Sequence, residues 1–319
     1  MKKRNTLLAA LLMLAAPALA QEFPNRPIRV IIPYPAGGTT DVIARALQEP
    51  LRARLGQPVV IENRGGGAGA IGMRELMNAA PDGHTLVIAN NGPATILPLT
   101  DPNIGYRGTA LTAITRVTGA PLVLVTPASL PPRDLREFIA YARERPGRLN
   151  YATAGVASLG HVATLLLSQM ADFSATHIPY RGQAPASLAV VAGEVQFVLT
   201  TTSTAMNAQI EAGRLKALAV SSAQASPEVP GVPPISDVLP GYNVEIWFGL
   251  LAPPRTPSPI VEKIAAAVRQ GLALPSVQQV LRSAGMEPVG STPQEFSRLL
   301  TEEEAMWRSV ITSANIKPE

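Results

Sequence analysis

The sequence predicts an α/β protein of two domains. Three observations carry that reading. The chain has 319 residues, and the roughly 300 that follow a leader suit two domains of ordinary size. Its first part runs strand, helix, strand, helix, strand, which argues for a parallel sheet with right-handed crossovers. A strand, a small-residue turn and a helix then recur in the second half, so both halves share one α/β grammar.

Residues 1–20 set the compartment. Lys2, Lys3 and Arg4 form a basic start, residues 7–14 are all apolar, and Ala18-Leu19-Ala20 is a small-x-small cleavage site before Gln21. This is the pattern of a secretory signal peptide, excluded from fold reasoning, and it points to a periplasmic protein. The apolar run is too short to span a membrane, and no later run is long and apolar enough. The net charge of the whole chain is +4, and removing those three cations leaves +1. No basic patch argues for nucleic acid. The chain has no cysteine, which excludes disulfides, zinc–thiolate sites and thiol nucleophiles. Hydrophobic residues make up 46% but aromatics only 4%, so the cores must be built from Ala, Val, Leu and Ile.

The first strand covers residues 28–32, and Pro33 and Pro35 stop it. Gly37 and Gly38 then allow backbone angles closed to other residues, and Thr39 or Thr40 caps the next helix. Such a turn aims unpaired backbone N–H groups at one spot where the helix dipole is positive, a good place for a carboxylate or phosphate. Taken alone it is also an ordinary βα turn. Residues 58–63 read as the second strand. Gly65-Gly66-Gly67-Ala68-Gly69 opens a helix to about residue 79, and residues 85–90 form the third strand.

In the second half, residues 122–125 are a strand and residues 133–145 a helix. Residues 149–153 form a strand that leads through Ala154-Gly155-Val156-Ala157-Ser158 into an apolar helix over 162–170. A short strand at 177–178 precedes a helix over 184–192, followed by a strand at 195–200, a helix to about 212 and a strand at 215–221. After a Pro-rich stretch, residues 245–252 form an apolar strand. The tail is helical over 258–272, 276–283 and 293–314, with Thr292 and Glu295 placed as a capping box for the last helix.

Chemistry is sparse. His84, His161 and His177 have no metal-ligand spacing. No Ser sits in a Gly-x-Ser-x-Gly elbow. The Gly-rich runs lack the Lys of a phosphate-binding loop, and no acidic residue ends the strand after residues 65–69, so a dinucleotide site is disfavoured. His161, in the first turn of its helix, suits either a structural or a ligand-side role. Arg181 suits a surface pair or, in a cleft, a carboxylate clamp. Trp247 and Phe248 read as core or hinge packing.

These residues match a known family. Pro33-Tyr34-Pro35-Ala36-Gly37-Gly38-Thr39-Thr40-Asp41, Glu62-Asn63-Arg64-Gly65-Gly66-Gly67-Ala68-Gly69 and Ala80-Pro81-Asp82-Gly83-His84-Thr85-Leu86 recur there in this order. So do Tyr151-Ala152-Thr153-Ala154-Gly155, Pro179-Tyr180-Arg181-Gly182-Gln183-Ala184-Pro185-Ala186 and Gly249-Leu250-Leu251-Ala252-Pro253. Over nearly the whole mature chain the sequence resembles the substrate-binding proteins of tripartite tricarboxylate transporters, the Bug-type extracytoplasmic solute receptors. The resemblance implies a periplasmic-binding-protein type II fold, in which two α/β domains close like a flytrap on a ligand cleft. One domain would comprise residues 21–122 and 245–319, the other 123–244.

The resemblance also implies how ligand is held. A carboxylate sits between two βα loops, one from each domain, bound mainly by backbone N–H groups and ordered water. The first loop supplies Tyr34, Ala36, Gly37, Gly38, Thr39, Thr40 and Asp41, with Asp41 fixing the helix start because like charges repel. The second supplies Thr153, Ala154, Gly155, Ser158 and His161. Asn90, Arg181 and Thr200 complete the set. The chain departs from the family pattern at Val156 and Ala157, which remove polar contacts, and at Thr200-Thr201, where many members carry an acidic residue and Asn. A lost acid there weakens selection for ligands bearing an amine.

The expected function is capture of a small carboxylate-bearing metabolite for delivery to membrane subunits of a tripartite tricarboxylate transporter. The receptor would act as a monomer, without catalysis, metal or cofactor. The alternatives are a sensor that presents its closed form to a membrane receptor kinase, and a secreted hydrolase dependent on His161.

Overall fold

Both faces of the first strand are buried. Val30 and Ile32 enter one hydrophobic cluster and Ile31 another, which is why the strand reads as a continuous apolar run. The computed structural model describes residues 23–227 and 229–316. The signal-peptide reading of residues 1–20 lies outside the described residues.

The strands are β1 (Ile28–Ile32), β2 (Val59–Asn63), β3 (Thr85–Asn90), β4 (Thr112–Pro121), β5 (Val123–Pro127), β6 (Asn150–Thr153), β7 (Thr176–Pro179), β8 (Phe197–Thr200), β9 (Leu215–Val220), β10 (Glu245–Ala252) and β11 (Glu287–Pro288). The helices are α1 (Thr39–Leu55), α2 (Ala70–Met77), α3 (Leu97–Thr100), α4 (Leu135–Arg143), α5 (Leu159–Met170), α6 (Gln183–Ala192), α7 (Thr204–Glu211), α8 (Ser258–Leu272), α9 (Pro275–Ser283) and α10 (Pro293–Ser313). A π-helical turn, Gly92–Ile96, precedes α3.

The strands form two sheets, one ordered β11-β4-β10-β3-β1-β2 and the other β7-β6-β8-β5-β9. Strands β2 and β3 flank β1 in parallel, but β10 runs antiparallel to both β3 and β4. In the second sheet β6 is parallel to β7 and β8, and β5 is antiparallel to β8 and β9. The sheets are therefore mixed where the sequence predicts a parallel one. In the first sheet the difference lies in β10, whose direction the residues do not reveal, and in β4, which falls between residues 93 and 121, where the sequence reading places no element; in the second it lies in β5.

Helices α1 and α8 cover one face of the first sheet through Ile43, Leu47, Ile264 and Val268. The second sheet packs Tyr151 and Phe197 against Phe138 of α4 and Val162 of α5. The chain passes from β4 straight into β5 through Leu122 and returns through Val244 into β10. Ser221, fully buried at the end of β9, joins the two crossings. Its hydroxyl accepts from the Leu122 N–H at 2.7 Å and donates to the Val244 carbonyl, while its own backbone bonds both residues again.

The last helix also touches both sheets. Its start is fixed by the predicted capping box of Thr292 and Glu295. Phe296 and Leu300 pack with Trp247 beside the first sheet. Trp307, Val310 and Ile311 pack into the core of the second. Between them lies Glu303, whose Oε1 accepts from Asn91 Nδ2 at 2.8 Å and Trp247 Nε1 at 2.9 Å. Its Oε2 lies 3.0 Å from the Thr95 hydroxyl, which is also 3.1 Å from the Asn91 carbonyl. One hydroxyl proton cannot serve both acceptors. When Glu303 carries a proton it can donate to Thr95, which frees the hydroxyl for the Asn91 carbonyl.

Burial pushes the Glu303 carboxyl up from 4.5 to about 7, against the hydrogen bonds from Trp247 and Thr95. The folded state therefore holds a proton that the unfolded chain releases between these values. The stability this group provides is complete below pH 4.5 and is lost as pH rises through about 7. Glu303→Gln keeps an acceptor and a donor in place without titrating. Denaturant unfolding from pH 4.5 to 7.5 should show the wild type losing about 3 kcal/mol relative to the variant.

Candidate functional site

The turn after β1 is held together by Asp41. Gly37 has φ +87°, a conformation that favours glycine. Its N–H donates to Asp41 Oδ2 at 3.0 Å, Arg45 Nε donates to the same oxygen at 2.8 Å, and Asn63 Nδ2 donates to Oδ1 at 3.1 Å. The bond from Arg45, with those from Gly37 and Asn63, holds the Asp41 carboxyl down at about 2. The N-cap of α1 is Gly38, without a side-chain cap bond. The predicted Thr39 or Thr40 cap is thus replaced by a carboxylate three residues into the helix, which reaches back to the turn and complements the helix dipole. Gly37 spends its N–H on Asp41.

Next to this turn, Tyr34 donates to Asn90 Oδ1 at 2.7 Å, and the Gly92 N–H approaches the same oxygen at 3.2 Å. The oxygen is satisfied twice, so the Asn90 amide NH2 remains for another partner.

The second loop leaves β6 and enters α5. Ser158 is the N-cap of α5, and its side chain accepts from the His161 N–H. The first helical N–H groups, of Leu159 and Gly160, have no acceptor within the helix. A Cβ on Gly160 would lie 2.7 Å from the Leu199 carbonyl, so this glycine lets α5 start directly against the end of β8.

Behind the loop stand two histidines. The rings of His161 and His177 stack at 3.8 Å and 11°, and Tyr151 stacks on His177 at 5.1 Å. His177 Nε2 lies 2.6 Å from Thr153 Oγ1, whose oxygen also takes the Gly155 N–H. His161 Nδ1 accepts from the N–H of Ala157, a residue at φ +58°. That bond requires a neutral ring with its proton on Nε2. Burial pushes both imidazoles down to about 4, and His177 adds to the shift at His161.

Between the two sheets these loops border a cavity of about 390 Å³. Tyr34, Asn90, Thr153, Ala154, Ser158 and Thr200, all expected from sequence, line it. Ala36, Gly37, Gly38, Thr40, Asp41, Gly155, His161 and Arg181 do not. Thr40 and Asp41 are buried beneath their turn, His161 stands behind its loop, and Arg181 is exposed. Thr39 lines a second cavity of about 610 Å³, which shares Gln183 and Thr201 with the first. The sequence reading did not single out Asn91, Leu97, Leu122, Gln183 or Ile246, which also line the first cavity. For Gln183 a signal existed, since it belongs to the Arg181-Gly182-Gln183 motif. Among the described residues no group of three or more acidic or histidine side chains could hold a metal ion, and no helix is long and apolar enough to cross a membrane.

Residues 43–316 match the family described as tripartite tricarboxylate transporter family receptor, TctC. The chain belongs to this family. BugT of Bordetella pertussis is 32% identical over 307 residues, covering 95% of this chain and 94% of that one. The structure is similar to MatC from Rhodopseudomonas palustris with bound malate, at 33% identity and TM-score 0.72, over 91% of this chain and 100% of that one. It is also similar to an R. palustris protein solved with adipate, at 33% identity and TM-score 0.75, over 93% of this chain and 100% of that one. As in other TctC receptors, two α/β domains face each other across a cleft, and the expected α/β flytrap class is the class observed.

Two outcomes follow from the loops. The unfolded chain takes up more protons than the folded one between pH 6.5 and 4, because both histidines are held neutral. Stability from this pair is complete above 6.5 and is lost as pH falls through about 4. Unfolding curves of His177→Phe, which keeps a ring in the stack, should show a shallower acid-side loss than the wild type. In the first loop, Gly37→Val forces a β-branched residue to positive φ and should cost about 1–2 kcal/mol. Gly38→Val, at φ −80° with nothing nearer than 3.9 Å, should be close to neutral in the same assay.

Proposed function

We propose that this protein is a periplasmic receptor that takes a small organic carboxylate into the cavity between its two domains and delivers it to tripartite tricarboxylate-type membrane subunits. One observation carries the reading. The N-terminus of α5, with Ser158 as its cap and unpaired N–H groups at Leu159 and Gly160, opens onto a cavity also bordered by Asn90 of the other domain. Backbone donors and a helix dipole at one point suit a carboxylate. The malate and adipate in the two similar structures support the same ligand class. The periplasmic location is supported by the leader pattern of residues 1–20 and by membership of the receptor family.

In this reading one unit is residues 21–122 with 245–319, the other is 123–244, and closure brings Asn90 and Tyr34 toward the α5 loop. Binding makes and breaks no bond. His161 has the role of holding Ala157, and its Nδ1 is already engaged there.

A thermal-shift and calorimetry screen of organic acids tests the proposal. At least one carboxylate should raise the melting temperature by several degrees when present well above its Kd. Asn90→Ala should weaken that ligand about tenfold by removing one donor to a charged group. A full screen in which no carboxylate shifts the melt, or unchanged affinity in Asn90→Ala and Gly160→Val alike, would overturn it.

A further inference from the structure

The π-helical turn Gly92–Ile96 forms part of the cavity wall. Gly92 and Pro93 line the cavity, and Asn90 and Asn91 lead into the turn from the end of β3 and line it too. Turns of this kind are rare and concentrate at functional sites. A side chain of the last helix supports this one from outside the cavity. Glu303, 7% exposed, meets Asn91 Nδ2 through Oε1 and the Thr95 hydroxyl through Oε2. Asn91 and Thr95 are buried as well, at 0% and 2% exposure, so a bond lost there is not replaced from solvent.

We infer that Glu303 is a positioning residue for ligand binding: in its neutral form it holds the Asn90–Asn91 wall in the shape that receives a carboxylate, and its ionisation releases that wall and weakens binding. The inference rests on the proposed carboxylate function and adds a proton to it. Two effects have the same sign. First, the Thr95 hydroxyl has one proton and two acceptors, Glu303 Oε2 and the Asn91 carbonyl. A neutral Glu303 donates to Thr95 and leaves the hydroxyl proton to the Asn91 carbonyl. An ionised Glu303 draws that proton to itself, because bonds to a charged acceptor are stronger, and the Asn91 carbonyl loses its Thr95 bond across the turn. Second, an ionised Glu303 sets a negative charge directly behind Asn91, where burial leaves it weakly screened. That charge opposes the charge of a bound carboxylate. Burial pushes the Glu303 carboxyl up to about 7, so both forms are populated near neutral pH.

The surroundings leave this proton to Glu303. Helix α10 packs against β4, the π turn, α3, α5, the turn at residues 108–110 and α8. Strand β4 offers Arg116, which is paired with Glu245 of β10 and whose charge acts against the upward shift at Glu303. Helix α8 carries Glu262 and Lys263, both exposed, and Arg269. Helix α5 carries His161, stacked on His177. The π turn, α3 and residues 108–110 carry no charged residue, and Arg107 just before the latter is exposed. On α10 itself Glu302 lies 3.9 Å from Arg298, and Glu304 accepts from Thr109 and Arg308. Among these groups Glu303 is the carboxyl that bonds the cavity wall.

Calorimetric titration of the mature chain with a panel of organic acids, malate and adipate among them, tests this between about pH 6.5 and 8.5, where the ligands' own carboxylates are ionised. A coupling of about fivefold, the low end of the usual range, should make the acids that bind about threefold weaker at the upper pH. Binding near neutral pH should take up a fraction of a proton, read as a dependence of the heat on the ionisation enthalpy of the buffer. Glu303→Gln can donate to Thr95 while its oxygen accepts from Asn91 and Trp247, so it should keep the tighter affinity at both pH values and take up no such proton. The chain has two tryptophans, and Trp247 Nε1 donates to Glu303. Its indole N–H signal in the wild type should therefore titrate in this range, with a midpoint that saturating ligand raises by about 0.7 of a pH unit for the same fivefold coupling. A wild-type affinity that does not change with pH, a Gln variant that keeps the full pH dependence, or an indole midpoint unmoved by a bound acid would overturn the inference and leave a carboxylate receptor intact. A panel in which no acid binds at either pH would overturn the receptor reading itself, and the inference with it. The wild-type profile and the indole signal decide the matter even where the Gln variant does not fold.

Discussion

A carboxyl group removed from water has to be hydrogen-bonded, neutralised or both. Glu303 meets that demand in a way that orders everything around it. Its Oε1 takes Asn91 and Trp247, and its Oε2 meets the Thr95 hydroxyl, which also lies against the Asn91 carbonyl. Asn91 is thereby fixed at both ends of its amide, since Nδ2 also bonds the Glu245 carbonyl and Oδ1 accepts from the Trp247 N–H. Asn90 directly precedes it in the chain and accepts from Tyr34. A residue on the last helix thus sets one wall of the cavity and the start of the returning strand β10 together.

The opposite wall is positioned by a different device with the same logic. The loop from Thr153 to Ser158 contains a left-handed alanine, Ala157, which a side chain disfavours. Its N–H is satisfied from behind by His161, and Thr153 is met from behind by His177. The His161 ring must stay neutral for its contact to hold, and Thr153, which donates to the Gly155 carbonyl, receives the His177 Nε2–H. Burial favours the neutral form of both rings, which stack on one another and beside Tyr151. The two histidines therefore stand one layer back from the residues that line the cavity.

Much of this was legible in the sequence, and the rest was hidden for physical reasons. Strands β1, β3 and β10 are mostly apolar runs, broken only by Arg29 and by the terminal Thr85, Asn90 and Glu245, because both of their faces are largely buried. Strand β4 was not legible. Its ladder with β10 slips register twice, and those irregularities break the two-residue alternation around Arg116. Tyr34, Asn90, Thr153 and Ser158 were readable as cavity residues because each sits at the end of a strand or the start of a helix. The cap of α1 was misread because Asp41, inside the helix, outcompetes Thr39 and Thr40 for the turn. The histidine pair was invisible for another reason. It exists only once the parallel ladder sets His177 opposite Tyr151 and α5 folds back over both.

The connections between the domains limit how the cavity can open. The crossings at Leu122 and Val244 could act as two independent strings, but Ser221 bonds both with its hydroxyl and its backbone, so they move as one strip. Helix α10 adds a third tie, with Phe296 and Leu300 anchored beside one sheet and Trp307 and Ile311 in the core of the other. A packed helix resists bending, and each of these side chains is fully or nearly fully buried. Any rotation of one sheet against the other must therefore act on the crossings tied by Ser221 and on the helix that carries Glu303. Asn91 bonds Glu303 and also lines the cavity.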